Sequence, residues 1–127
     1  MNAKILLVED NAVNRYLETF VLESSGFQVI HAVNGREALA LARSECPDLI
    51  LMDIQMPEMD GYEAARSIRE ALGGDCMPIV AVTSYAMSGD RERALQLGFA
   101  GYLEKPIATE KFAAQIGSFL PKKAGAA

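Results

Sequence analysis

The sequence predicts an α/β fold, a single doubly wound parallel sheet of (βα)5 form. Three observations predict it. Short apolar, β-branched runs recur five times along the 127 residues, with segments of helical spacing between them. The runs are nearly continuous in apolar character, as expected of strands covered on both faces. Capping residues and glycines punctuate the helical segments where helices should start and stop.

The first strand is expected at Lys4–Val8. The helix after it places Val13, Leu17, Phe20 and Val21 on one face and should stop at Gly26. Gln28–His31 gives the second strand. Asn34 and Glu37, at capping-box spacing, open a helix with a weaker stripe of Ala38, Leu39 and Ala42. Cys46, just before Pro47, reads as the end of that helix. Leu49–Met52 is the third strand. Asp60 and Glu63 cap the next helix, whose apolar face is Gly61, Ala65, Ile68 and Leu72 and whose stop is Gly73. Ile79–Val82, the helical "ERALQLG" ending at Gly98, and Gly101–Leu103 follow. Phe112, Ile116, Phe119 and Leu120 form the buried face of the last helix. The domain spans 1–120, and "PKKAGAA" (121–127) reads as a short flexible tail. Strands and helices alternating in this way predict a flavodoxin-like three-layer sandwich with strand order 2-1-3-4-5. Ligands of such sheets bind beyond the C-terminal ends of the strands.

Composition narrows the function classes. A net charge of -5 disfavours a nucleic-acid phosphate backbone as partner. No window is apolar for long enough to span a membrane, and "MNAKILLVED" runs into acids too soon for a signal peptide. A cytoplasmic protein is expected. Met1 close before the first strand and the short tail predict a stand-alone protein. Two cysteines, Cys46 and Cys76, fall short of a disulfide scaffold and are expected to be reduced.

The strand ends carry the chemistry. Glu9 and Asp10 follow the first strand, Asp53 the third, Thr83 and Ser84 the fourth, and Glu104, Lys105 and Pro106 the fifth. Three carboxylates in one crevice repel, so a hard divalent cation is expected among them, and Mg2+ is the common one. Mg2+ and Lys105 together would neutralise Glu9, Asp10 and Asp53, letting a phosphoryl group approach. Asp53 is the candidate nucleophile, since a carboxylate can become an acyl phosphate. Thr83 offers a hydroxyl donor to a phosphoryl oxygen. Glu58 and Asp60 are not members of this acidic site: Asp60 is a cap and Glu58 a loop charge.

The motifs "LVEDN", "LILMDIQMPEMDGYE", "PIVAVTS" and "GYLEKP", in this order, resemble the receiver domain of two-component response regulators, from about Lys4 to Leu120. In wording the chain is similar to stand-alone DivK-type receivers and to receivers of hybrid kinases. The resemblance implies a phosphorylation switch, not a turnover enzyme. It implies a phosphoryl group taken from phosphohistidine on a histidine kinase or a histidine phosphotransfer protein. Asp53 would be the phosphoacceptor, Glu9 and Asp10 the acidic Mg2+ pair, and the Gln55 backbone carbonyl a further ligand. Thr83 and Lys105 would contact the phosphoryl group, and Tyr102 would be the switch aromatic. The signal would leave through a downstream effector bound to the face of the fourth helix, fifth strand and fifth helix. The donor would dock beside the first helix, around Asn14, Arg15 and Glu18, and the loop at Pro106 and Ile107.

Three rival functions fit the residues less well. An aspartyl-phosphate phosphatase of the haloacid-dehalogenase type would carry a second Asp where Gln55 stands. A flavin protein would place a phosphate-binding loop where "EDNAVN" puts negative charge. A receiver that is never phosphorylated would not be expected to keep Asp53, Thr83 and Lys105 together.

The resemblance also implies that Gln55 and Tyr85, two residues beyond Asp53 and Thr83, flank the path of the hydrolytic water. Neither is a strong base and Tyr85 is bulky, so slow self-dephosphorylation is expected. Tyr85→Ala should speed decay of the phosphorylated protein, followed by loss of the phosphoryl mass. Equal decay of variant and parent would remove the steric contribution.

Overall fold

In a computed structural model, the described residues are 3–54, 61–73, 77–83, 89–104 and 109–120. The expectations placed on Gln55, Glu58, Asp60, Cys76, Ser84, Tyr85, Lys105, Pro106, Ile107 and the tail lie outside them.

The described elements alternate as the sequence predicts: β1 (Lys4–Val8), α1 (Ala12–Ser24), β2 (Gln28–Ala32), α2 (Gly35–Glu45), β3 (Leu49–Asp53), α3 (Gly61–Leu72), β4 (Ile79–Thr83), α4 (Asp90–Gln96), β5 (Gly101–Glu104) and α5 (Thr109–Phe119). The strands form one parallel sheet in the order β2-β1-β3-β4-β5.

Alternation along each buried strand splits the core in two. Leu6, Val8, Ile50, Met52 and Ala81 pack against Ala38 and Ala42 of α2, Ala64, Ala65 and Ile68 of α3, and Ala94 of α4. Ile5, Leu7, Leu49, Leu51, Val80 and Val82 pack on the other side with Leu22 of α1 and Phe112 and Ile116 of α5. Every residue of β3 is buried, and each large aliphatic side chain removed from water contributes about 1.5–3 kcal/mol. The central strand is thus a firmly held support for whatever stands at its end.

Four strands run one residue past their last expected position, to Ala32, Asp53, Thr83 and Glu104. The pairs Val8↔Ala32, Asp53↔Val82 and Thr83↔Glu104 continue the ladders. The apolar pattern marks where the core stops, whereas main-chain pairing carries one step further. Asp53 and Thr83 therefore belong to the sheet itself.

The helix ends follow local chemistry. Asn11 Oδ1 accepts from Asn14 N at 2.9 Å, and Asn34 Oδ1 from Glu37 N at 2.9 Å. Glu37 Oε1 reaches back to accept from Val33 N at 2.9 Å. Gly26, Gly73 and Gly98 all have φ between +95° and +98°, the left-handed conformation that ends a helix and that glycine adopts without strain. Cys46, the end of α2, takes a left-handed φ of 46° without being glycine.

The α1 helix departs from expectation. Val13 is 75 % exposed and Phe20 61 %, with Tyr16 and Leu17 also open to solvent. Leu22 is buried, and Val21 is packed against that side of the core. Helical spacing groups Val13, Leu17 and Phe20 correctly, but the helix is rotated so that this stripe faces outward. Glu18, expected beside the docked donor, is buried for the same reason.

Candidate phosphoacceptor and metal site

The site begins where β1 leaves the sheet. Glu9 N donates to Ala32 O at 3.0 Å, so the residue is still tied to β2 as the chain turns away. Its carbonyl accepts from Arg15 Nη1 at 3.0 Å, and its Oε2 accepts from Asn11 N at 3.2 Å. Glu9 is only 1 % exposed, whereas Asp10 stands in solvent. Asp53, the last residue of β3, is 5 % exposed. The next residue is anchored too, with Ile54 N donating to Val82 O at 3.1 Å.

One carboxylate oxygen from each of Glu9, Asp10 and Asp53 falls within 4.8 Å of the other two. Oxygen ligands around an octahedral Mg2+ lie about 3 Å apart when adjacent and about 4 Å when opposed. The three carboxylates are thus close enough for one cation to draw on all of them, with small side-chain rotations completing the shell. A hard, all-oxygen donor set of this charge suits Mg2+. Among the described residues it is the group of this kind that the fold assembles.

Thr83 ends β4 and is buried. Register relates it to Tyr102: Ala81 pairs with Tyr102 and Thr83 with Glu104, so Thr83 and Tyr102 lie on the same face of neighbouring strands. Tyr102 is buried, its ring packed into the α2–α3–α4 side of the core. The hydroxyl donates to Asp90 Oδ2 at 3.5 Å, the outer limit of a hydrogen bond, and Arg91 lies 5.6 Å from the ring centroid. Sequence reasoning misses these two α4 contacts; only "SGDRERA" marks the segment.

Burial, helped by the negative charge of Asp90, pushes the Tyr102 phenol up from 10.0 to about 12. The unfolded chain therefore loses this proton first as pH rises. Stability from the neutral buried phenol is complete below pH 10.0 and is lost toward about pH 12. A phenolate absorbance titration should show a phase ionising late, toward about pH 12, and Tyr102→Phe should remove that phase. A high-pH phase that persists unchanged in Tyr102→Phe would contradict it.

Residues 5–117 match the sequence profile of the response regulator receiver domain. The chain belongs to this family. The receiver domain is 43 % identical over 120 residues to the polar-differentiation response regulator DivK of Brucella anthropi, covering 94 % of this chain and 98 % of the relative. The DivK of Brucella abortus is 42 % identical with the same coverage. Among solved structures, the chemotaxis protein CheY4 of Vibrio cholerae superposes with a TM-score of 0.87 at 30 % identity, covering 94 % of this chain and all of the other. The receiver domain of a sensor histidine kinase from Pseudomonas aeruginosa, solved with a magnesium ion in its active-site cleft, is 39 % identical with a TM-score of 0.83, covering 94 % and 98 %. Receiver domains are signalling proteins, and phosphorylation on an aspartate with Mg2+ is the general property of the family. No helix among the described residues is long and apolar enough to cross a membrane.

Proposed function

We propose that Asp53 is the phosphoacceptor of this receiver domain and that Glu9 and Asp10 hold Mg2+ beside it, with the Gln55 carbonyl as a further ligand. The observation that carries the reading is the convergence of Glu9, Asp10 and Asp53 carboxylate oxygens at the end of a fully buried central strand. A carboxylate oxygen of Asp53 attacks the phosphorus of a phosphohistidine. The P–N bond breaks as the P–O bond forms, and the imidazole leaves with the electron pair. Bound Mg2+ supplies charge neutralisation for the phosphoryl oxygens. Lys105 and Thr83 donate to the same oxygens. Rigid support of Asp53 by β3 preserves the in-line approach.

The donor is a histidine kinase or histidine phosphotransfer protein, and the exposed stripe Val13, Tyr16, Leu17 and Phe20 suits its docking. It begins in the first turn of α1, close to the acidic site in the chain, and offers the aromatic and aliphatic anchors that protein interfaces favour. On the opposite side, Thr83 moving toward the phosphoryl group would bias Tyr102 on the shared face and alter the α4–β5–α5 surface presented to an effector. A coupling of about 1–3 kcal/mol is sufficient for such a shift. The protein acts as a switch, without turnover of a substrate, and in the cytoplasm.

Incubation with acetyl phosphate should add one phosphoryl mass only when Mg2+ is present. Asp10→Ala, at an exposed position, should keep the fold and raise the Mg2+ needed for half-maximal labelling by roughly tenfold. Labelling that ignores Mg2+, or an unchanged requirement in Asp10→Ala, would remove these acids from the metal role.

A further inference from the structure

A second concave site lies away from the acidic cluster, between α3 and α4. It is a cavity of about 430 Å³ lined, among the described residues, by Tyr62, Glu63, Arg66, Arg69, Arg93 and Leu97. Three guanidinium groups face one carboxylate there, in a chain whose overall charge is -5. Tyr62, Arg66 and Arg69 recur at helical spacing and share a side of α3, while Arg93 and Leu97 come from α4 and its end.

Two of the three arginines are set in place by their surroundings, while Arg66 is exposed at the rim. Arg93 lies 4.9 Å from the centroid of the Tyr62 ring and Arg69 5.4 Å from that of Phe99. Tyr62 is itself fixed edge-on against Phe99, with centroids 5.6 Å apart and planes at 87°. Arg69 also donates through Nη2 to the Leu97 carbonyl, joining α3 to the end of α4. A guanidinium resting on an aromatic face keeps a planar fork of N–H donors that matches phosphate oxygens, and it gives up little side-chain freedom on binding. The volume falls in the range of small-molecule sites.

We propose that this cavity binds a small phosphate-bearing ligand, held by Arg66 and Arg69 of α3 and Arg93 of α4. The ligand bridges the two helices. Because α4 also carries Asp90 and Arg91 against Tyr102, occupancy fixes the helix that the buried tyrosine leans on. The site is independent of phosphoryl transfer to Asp53 and stands or falls separately from it.

The test is a titration by NMR and calorimetry in Mg2+-free buffer, at constant ionic strength, with inorganic phosphate and adenosine 5′-monophosphate as probes. Saturable binding with Kd at or below ~1 mM is expected, with shifts centred on Tyr62, Arg93 and Leu97. The double variant Arg66→Gln/Arg93→Gln should lose at least tenfold in affinity while keeping Mg2+-dependent labelling by acetyl phosphate. Asp53→Asn should leave probe binding unchanged. Equal affinity for the probes assigns the site to a free phosphate group; tighter binding of the nucleotide assigns the remaining volume, beside Tyr62 and Leu97, to its base and sugar. Absence of saturation for both probes, unchanged affinity in the double variant, or shifts centred on Glu9 and Asp53 would overturn the proposal.

Discussion

Asp53→Asn should abolish acceptance of a phosphoryl group and, in metal-free buffer, make the protein more stable. The first effect is chemical. The side-chain amide lacks the carboxylate oxygen that forms the acyl phosphate, so labelling should fall below detection. The second is electrostatic. With carboxylate oxygens within 4.8 Å of one another, each pair repels by about 1–3 kcal/mol, depending on the local dielectric. Asp10 is exposed, which puts its pairs at the low end. Removing one charge should yield ~1 kcal/mol, or roughly 4 °C in Tm for a domain of this size. Mg2+ should reverse the order, because the parent gains more from metal binding than the variant. Labelling of the Asp53→Asn variant at the parental rate would sink the acceptor assignment. A lower metal-free Tm in the variant would show that the cluster does not strain the fold.

Gly61→Ala should be the most damaging single methyl group near the site. A Cβ at position 61 would fall 2.7 Å from Ile54 Cγ2 and 2.8 Å from Asp53 O, and would also strike Ile54 Cα. Two of those neighbours are main-chain atoms of the segment that ends β3, so relief requires moving the strand that holds Asp53. Gly61 N also donates to Ile54 O at 3.2 Å. Overpacking of this kind costs about 1–3 kcal/mol, or more where backbone must shift. Denaturant midpoints should drop accordingly, and labelling should slow in whatever fraction stays folded. Gly73→Ala is the control. Its φ of +97° disfavours alanine, but nothing lies within 4 Å of the added carbon, so about 1 kcal/mol and no change in labelling rate are expected. Equal effects of the two substitutions would mean that conformation, not contact with β3, governs Gly61.

The legible parts of this protein are those written in local patterns. "LILMD" announces a strand buried on both faces, and the rule that ligands gather at strand ends then selects Glu9, Asp10 and Asp53, which the fold does bring together. Asn34 and Glu37 reveal their cap because its bonds are local: Asn34 Oδ1 accepts from Glu37 N, and Glu37 reaches back one residue past the cap to Val33 N. The face of α1 is not legible. Periodicity says that Val13, Leu17 and Phe20 share a side; it does not say which side meets the sheet, and here a buried Glu18 stands on the inner one. The clash at Gly61 and the contacts of Asp90 and Arg91 with Tyr102 depend on how separate elements dock. No spacing along the chain encodes them.

The one-residue extension of β3 and β4 places Asp53 and Thr83 among the last paired residues of their strands. The ends of a ladder open by local fluctuation, at a free energy well below that of unfolding the whole domain. Amide exchange in the middle of β3 would therefore follow global stability, whereas exchange at its end would follow the readiness of the site. A domain can hold its core intact while the margin of its sheet opens and closes. A ligand that ties the end of β1 to the end of β3 shortens the time spent open, and the sheet margin becomes the place where occupancy is recorded as protection.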